Sequence, residues 1–190
     1  MRPFLSLLIV AVSVAPAVAS EPAGFDLQGH RGCAGLMPEN TMPAVRKAIE
    51  LGVTSIELDL HLTRAGVLAV HHDEKLSPSR CVGPAGERVA KRKIHEMKWE
   101  ELEGIECAGP DGAAPPRDAI PRLEQVIDLA REAPYPVRLN LELKARKGAS
   151  TVTYDLVAEI LLAAIRERGM EQRVIVQSFD LEPLRAVREA

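Results

Sequence analysis

The amino-acid sequence predicts an α/β fold built around a parallel β-sheet, and three features support this prediction. Short apolar runs alternate along the chain with longer segments in which apolar residues recur at the period of a helix. The segments between the runs are long enough for the crossover helices that parallel strands require. The 190 residues, of which 46% are hydrophobic, suffice for one domain with a buried core. We therefore expect a single α/β domain.

Five short runs have the pattern of β-strands. The clearest is residues 55–62, where strict alternation places Ile56, Leu58 and Leu60 on one face and polar residues on the other. Because helical segments separate most of these runs, they indicate βαβ units and a parallel sheet. The predicted strands are residues 25–29, 55–62, 67–71, 137–143 and 174–178.

The predicted helices lie between these strands. In residues 41–51, Thr41 suits the N-cap, Pro43 suits the first turn and Gly52 suits the end of the helix. Residues 77–121 interrupt the pattern with glycine, proline and charge, apart from a short predicted helix near residues 94–102. A stretch of this length indicates a functional insertion over one end of the sheet. The remaining predicted helices are residues 122–132, residues 154–168 and one that begins near residue 181.

The first 19 residues have the three parts of a secretory signal peptide. A positive start at Arg2 precedes an apolar stretch over residues 4–15, and Ala17 and Ala19 form a small-x-small cleavage site. The apolar stretch is too short to span a bilayer, although an uncleaved membrane anchor is the alternative. We therefore expect residues 20–190 to form the mature domain, periplasmic or secreted, with no stable membrane insertion after signal cleavage.

Charge and cysteine content restrict the partners and the compartment. The formal net charge is -3 and the basic residues are scattered, so the sequence gives no basic face for nucleic acid. An exported protein can form disulfides. We expect Cys81 and Cys107, which both lie in the polar region rich in glycine and proline, to pair and to leave Cys33 as the odd cysteine.

Two predicted strands have acidic residues on their polar faces. Glu57 and Asp59 alternate with the leucines of residues 55–62, and Glu142 and Lys144 alternate with those of the fourth strand. Carboxylate oxygens suit a hard divalent cation, and the carboxyl ends of neighbouring parallel strands meet at one face. The sequence therefore predicts that three carboxylates converge. An exposed face of an edge strand is the alternative explanation for Glu57 and Asp59.

Two histidines directly follow predicted strands, at positions from which side chains reach a ligand. His30 precedes Arg31 after the first strand, and His72 precedes Asp73 after the third. One imidazole can take a proton from an attacking hydroxyl while the other protonates a leaving alkoxide, and a guanidinium suits phosphate. Together with a cation held by carboxylates, these groups favour cleavage of a phosphodiester.

These residues resemble the motifs of the glycerophosphodiester phosphodiesterase family. A single motif such as HRG is a weak signal, but seven blocks match in the family's order from about residue 26 to the end of the chain. The matching blocks are HRG at residues 30–32, PENT at 38–41, IELDLHLT at 56–63, GVLAVHHD at 66–73, IPRLE at 120–124, NLELK at 140–144 and QSF at 177–179.

The resemblance implies a role for each matching residue. His30 and His72 match the family's acid/base pair, Arg31 matches the phosphate-binding position, and Lys144 matches a position beside the phosphate. The implied ligands of a divalent cation, calcium or magnesium, are Glu57, Asp59 and Glu142. The implied supporting residues, which order the first loop, are Glu39 and Asn40.

The resemblance also implies a TIM-type (β/α) barrel and a reaction. The glycerol hydroxyl of a glycerophosphodiester attacks phosphorus and expels the alcohol, and water opens the cyclic phosphate to glycerol 3-phosphate. Such a barrel has eight strands, whereas about five are predicted here, so we expect a barrel truncated after about the fifth strand with an insertion after the third. Alternatives are a non-catalytic or inactive fragment that binds phosphate or polyol, and a related phospholipase acting on lysophospholipids or phosphoinositides.

Overall fold

The fold is described from a computed structural model, which covers residues 25–109, 117–145, 148 and 151–190. The predicted signal peptide, residues 1–19, lies outside the described residues. The elements are β1 (Gln28–Gly29), α1 (Met42–Glu50), β2 (Ser55–Leu62), β3 (Leu68–Val70), β4 (Cys81–Val82), α2 (Trp99–Leu102), β5 (Glu106–Cys107), β6 (Asp118–Ala119), α3 (Leu123–Arg131), β7 (Arg138–Leu143), α4 (Thr151–Arg166), β8 (Val174–Gln177) and α5 (Leu181–Glu189).

Four strands form the expected parallel sheet, in the order β1-β2-β7-β8. Helix α1 connects β1 to β2, α3 precedes β7, and α4 connects β7 to β8, which is the strand–helix alternation of (β/α) barrels. The parallel sheet and the placement of its strands along the chain were predicted correctly.

The strand predicted at residues 67–71 has a different role from the one expected. It is observed as β3, and it pairs antiparallel with β2 through Leu60 and Val70. The reason is a tight turn in which Gly66 adopts φ +80 and the Val67 amide donates to Thr63 Oγ1 at 2.9 Å. This turn leaves no space for the crossover helix that a parallel connection needs. The expectation of five barrel strands is therefore wrong, because in the described part of the chain four strands of this sheet are parallel and β3 completes a hairpin.

The main hydrophobic core lies on the side of the sheet that faces the helices. Ile56, Leu58 and Leu60 of β2 and Leu139 and Leu141 of β7 are completely or almost completely buried there. The opposite side chains of the same two strands are also buried, although they are polar. Burial of both faces is expected for parallel strands, and it leaves the polar residues in need of charged or hydrogen-bonding partners.

Helix α1 begins and ends as its sequence predicts. The Thr41 hydroxyl accepts a hydrogen bond from the Ala44 amide at 3.4 Å, Pro43 lies in the first turn, and Gly52 adopts φ +73 just after the helix. The buried face of the helix contains Ala44, Val45 and Ala48. The helix thereby holds the loop before it, residues 30–41, against the end of β2.

Residues 77–121 contain ordered structure of their own. Strands β4, β5 and β6 form a small antiparallel sheet, and Cys81 and Cys107 face each other across β4 and β5 in the disulfide that the sequence predicted. The helix predicted near residues 94–102 is interrupted, because Met97 and Lys98 are extended between a 3₁₀ turn and α2. A second apolar cluster supports this region, and it includes Leu76, Ile94, Trp99, Leu102 and Ile120.

The two outer strands of the parallel sheet have exposed apolar residues beside them. Phe25 precedes β1 and is 89% exposed, and Phe179 follows β8 and is 94% exposed. Among the described residues, β1 and β8 each pair with a neighbour on one side only. None of the described helices is both long enough and apolar enough to cross a membrane.

Candidate active site

The three predicted carboxylates converge at the carboxyl ends of β2 and β7. The two strands pair in parallel with Asp59 opposite Glu142, and Glu57 lies two residues earlier on the same face as Asp59. All three residues are buried, and one ligand oxygen of each lies within 4.8 Å of the others. Of the two readings that the sequence allowed, the geometry supports a convergent site and not the exposed face of an edge strand.

The environment of the cluster shifts the pKa values of Glu57 and Asp59 in opposite directions. For Glu57, loss of solvent raises the pKa to about 7, and the hydrogen bond from the Arg31 amide at 2.8 Å only partly offsets it. For Asp59, burial also raises the pKa, but hydrogen bonds from Lys144 and Asn40 outweigh it and lower the pKa overall. Neighbouring carboxylates of unequal pKa are typical of functional sites, where a cation can replace a proton.

Lys144 lies between two of the carboxylates. Its Nζ is 2.8 Å from Asp59 Oδ1 and 2.7 Å from Glu142 Oε1, and the side chain is 17% exposed. Burial lowers the pKa of Lys144, but its hydrogen bonds to both carboxylates outweigh that effect and raise it. The ammonium therefore neutralises part of the negative charge of the cluster. The carboxylate oxygens still have net negative charge and can act as ligands of a divalent cation.

The loop after β1 contacts the cluster from one side. Asn40 donates from Nδ2 to Asp59 Oδ2 at 2.7 Å and accepts from the Asp59 amide at 3.1 Å. Arg31 donates from Nη1 to Glu39 Oε2 at 2.7 Å, and its Nε is 3.7 Å from Asp59 Oδ2. Arg31 and Asn40 both adopt positive φ, at 49 and 58 degrees, which is uncommon outside glycine. Glu39 and Asn40 of the PENT segment thus connect the loop to Arg31 and to Asp59.

The two predicted acid/base histidines differ in exposure and in the carboxylate that each one contacts. His30 is largely exposed, and its Nε2 is 3.8 Å from Glu57 Oε2. His72 is partly buried, and its Nδ1 lies 2.9 Å from Asp73 Oδ1. When the ring proton is on Nδ1, that nitrogen donates a hydrogen bond to Asp73, and Nε2 can exchange a proton with a ligand.

Several residues near the site were not identified as functional from the sequence. Arg80, in the insertion, donates from Nη1 to Glu39 Oε1 at 3.2 Å and from Nη2 to Asp73 Oδ2. His71 is buried, and burial lowers its pKa to about 4. In the sequence, Arg80 is one of many basic residues in an irregular region. Its position next to Cys81, a cysteine predicted to form a disulfide, is the feature that distinguishes it from them.

A cavity of about 310 Å³ adjoins Lys144. Its lining combines the apolar side chains of Leu60, Leu62 and Leu143 with polar groups from His61. A ligand that contacts Lys144 has room to extend into this cavity.

Comparison with known proteins agrees with this geometry. The family model described as "Glycerophosphoryl diester phosphodiesterase family" matches residues 30–190. A glycerophosphodiester phosphodiesterase of Caldanaerobacter subterraneus subsp. tengcongensis is 34% identical over 160 residues, which cover 84% of this chain and 60% of the relative. One of Bacillus altitudinis is 34% identical over 150 residues, which cover 79% of this chain and 56% of the relative. The chain thus spans about 60% of the length of the relatives it matches.

Solved structures show the same fold. A structure from Silicibacter pomeroyi superposes with a TM-score of 0.79 at 30% sequence identity, covering 85% of this chain and 60% of that one. A phosphodiesterase of Oleispira antarctica, solved in complex with sn-glycerol-3-phosphate, superposes with a TM-score of 0.70 at 23% identity, with 85% and 60% covered. The fold is therefore α/β of the TIM-barrel type, and the chain belongs to the glycerophosphoryl diester phosphodiesterase family.

Proposed function

We propose that the protein hydrolyses glycerophosphodiesters to glycerol 3-phosphate and an alcohol, with calcium or magnesium as cofactor. The observation that supports this most strongly is the cluster of Glu57, Asp59 and Glu142, three buried carboxylates within 4.8 Å. The family relatives of similar sequence are glycerophosphodiester phosphodiesterases. The Oleispira antarctica protein of the same fold binds sn-glycerol-3-phosphate.

The three carboxylates fit a divalent cation by their chemistry. Oxygen ligands suit calcium and magnesium, and burial, with a smaller effect of the neighbouring carboxylates, raises the pKa of Glu57 to about 7, so a bound cation would take the place of a proton there. When bound, the cation would supply Lewis-acid stabilisation of the charge that develops on the phosphoryl oxygens. Lys144 and Arg31 would add positive charge beside the same oxygens.

The histidines perform the proton transfers in this proposal. One of His30 and His72 removes the proton from the glycerol hydroxyl of the substrate, which then attacks phosphorus. The other protonates the departing alkoxide, which leaves as the alcohol. In the second step the roles reverse, because water must lose a proton when it opens the cyclic phosphate. His72 is prepared for such a role, since Asp73 accepts from its Nδ1 and fixes which nitrogen faces a ligand.

The cellular setting is part of the proposal. Residues 1–19 have the parts of a signal peptide, so the mature domain would act in the periplasm or outside the cell on small water-soluble diesters. The Cys81–Cys107 disulfide supports this setting, because disulfides persist in oxidising compartments.

The test is the release of glycerol 3-phosphate from glycerophosphocholine by the purified protein, with calcium or magnesium and then with a chelator. We expect release that requires the cation and that is lost in His30→Gln and in His72→Gln. Arg92→Gln is the control and should retain activity, because Arg92 lies in the insertion and pairs with the exposed Glu101. Absence of release from folded protein would refute the proposed activity and favour a phosphate-binding or polyol-binding role. Release of phosphocholine would instead indicate cleavage of the other ester bond.

A further inference from the structure

Arg80 connects the two halves of the candidate site, although it belongs to the insertion. Its guanidinium bonds to Glu39 in the loop after β1 and to Asp73 in the loop after β3. Glu39 in turn accepts from Arg31, and Asp73 pairs with His72. The Arg80 side chain is 18% exposed and that of Glu39 is 5% exposed, so the pair with Glu39 is largely shielded from water, whereas Asp73 is more exposed.

The backbone around Arg80 is held in place from several directions. Its amide donates to the Ser77 carbonyl at 3.0 Å, and its carbonyl accepts from the Ala108 amide at 3.0 Å. The next residue, Cys81, is joined to Cys107, the neighbour of Ala108. The disulfide and the hydrogen bond from Ala108 therefore attach Arg80 to the small sheet of the insertion, and the hydrogen bond to Ser77 closes the turn before it.

We propose that Arg80 is a positioning residue for His72, and that the Cys81–Cys107 disulfide fixes Arg80 in the position from which it acts. This inference rests on the proposed function, in which His72 exchanges a proton with the substrate. Asp73 has two carboxylate oxygens, and each has a separate partner: Oδ1 accepts from His72 and Oδ2 accepts from Arg80. Arg80 thereby orients the carboxylate so that His72 keeps its proton on Nδ1 and presents Nε2.

The consequence of removing Arg80 follows from this arrangement. Without the guanidinium, the half-exposed Asp73 side chain loses the partner that fixes its rotamer, and His72 loses a constant acceptor. A misplaced acid/base group lowers the rate of the chemical step more than it weakens substrate binding. The effect of Arg80→Met should therefore fall on kcat, by roughly 10²-fold, with a small change in KM.

The direct test measures the tautomer of His72 by two-bond ¹H–¹⁵N correlation spectra of histidine-labelled protein above pH 8. His72→Gln identifies the signal. We expect the Nδ1–H tautomer in the wild-type protein, a shift toward the Nε2–H tautomer in Arg80→Met, and partial recovery in Arg80→Lys. Arg92→Met is the matched control, because Arg92 lies in the same insertion and pairs with the exposed Glu101. It should leave the tautomer and kcat unchanged.

A second variant isolates the contribution of the disulfide. Cys81→Ser with Cys107→Ser keeps Arg80 but removes its covalent anchor, so we expect a smaller shift of the tautomer and of kcat in the same direction. The inference is overturned if Arg80→Met and Arg80→Lys leave His72 in the Nδ1–H tautomer, or if they change kcat no more than Arg92→Met. Circular dichroism identifies variants that fail to fold, and Arg80→Lys then decides the question.

The NMR measurement also separates this inference from the proposed function. If the wild-type protein releases no glycerol 3-phosphate but the His72 tautomer still depends on Arg80, the proposed activity fails and the positioning role stands. If the protein is active and the tautomer is independent of Arg80, the positioning role fails alone.

Discussion

Replacement of Lys144 by methionine should destabilise the metal-free protein strongly and the metal-bound protein much less. The Lys144 ammonium makes ion pairs of 2.8 Å with Asp59 and 2.7 Å with Glu142, and both carboxylates are buried. Removal of one partner of a buried ion pair costs about 3–5 kcal/mol, because the other charge remains desolvated and unpaired. Methionine has a similar length, so most of the loss comes from the missing charge and not from packing.

A divalent cation at the same carboxylates should replace the missing charge. A ligand present at about 100 times its Kd stabilises the folded state by about 2.7 kcal/mol through mass action alone. In Lys144→Met the ammonium no longer competes for Asp59 and Glu142, so we expect the cation to bind more tightly than in the wild-type protein. The difference in the free energy of unfolding between the two proteins should therefore shrink from about 3 kcal/mol to a fraction of that value.

Urea unfolding measured in chelator and again in excess calcium checks this prediction. Lys47→Met is the matched control, since Lys47 pairs with the exposed Glu50 at 3.1 Å and a surface pair of this kind contributes about 0–1 kcal/mol. An equal loss in chelator and in calcium would refute the reasoning, because it would show that the cation does not share the carboxylates of Lys144. A loss no larger than that of the control would also refute it.

Three further predictions concern groups whose environment is equally specific. Burial lowers the pKa of His71 from its ordinary value of 6.5 to about 4, so the unfolded state takes up the proton first as the pH falls. The free energy of unfolding, measured with urea, should therefore fall by roughly 3 kcal/mol between pH 6.5 and pH 4 because of this group. His71→Asn should remove most of that pH dependence. The Cys81–Cys107 disulfide closes a loop of 26 residues, so its removal should lower the free energy of unfolding by about 3.5 kcal/mol, measurable as a lower urea midpoint in the double serine variant. With a pKa of about 7, Glu57 is mostly protonated at pH 6 and mostly ionised at pH 8. Titration calorimetry should therefore show that Glu57→Gln weakens calcium binding more at pH 8 than at pH 6. An equal effect at both pH values would contradict the assignment of Glu57 as a calcium ligand.

The site was largely predictable from the sequence because its signals are local. Alternation with a period of two placed Glu57 and Asp59 on one face of β2, and the rule that parallel strands end at one edge brought Glu142 beside them. The position of His72 directly after an apolar run has the same local origin. These arguments need only the strand pattern and the parallel direction of β2 and β7.

The features that were missed depend on contacts between distant segments. The antiparallel direction of β3 follows from a turn at Gly66 whose conformation the strand pattern does not specify. The role of Arg80 depends on the folding of the insertion, which brings it to Glu39, 41 residues earlier in the chain. Composition and periodicity contain no information on which of many basic residues in such a region becomes buried.

Glu57, Asp59 and Glu142 are proposed to form the divalent cation site of a phosphodiesterase. The most direct measurement is anomalous diffraction from crystals grown with Mn²⁺ and sn-glycerol 3-phosphate, since Mn²⁺ accepts the same oxygen ligands as magnesium and calcium. We predict an anomalous peak about 2.0–2.6 Å from oxygens of these three carboxylates, with the phosphate between the cation and His72. A peak elsewhere, or a carboxylate cluster that still holds only Lys144 at saturating Mn²⁺, would contradict it.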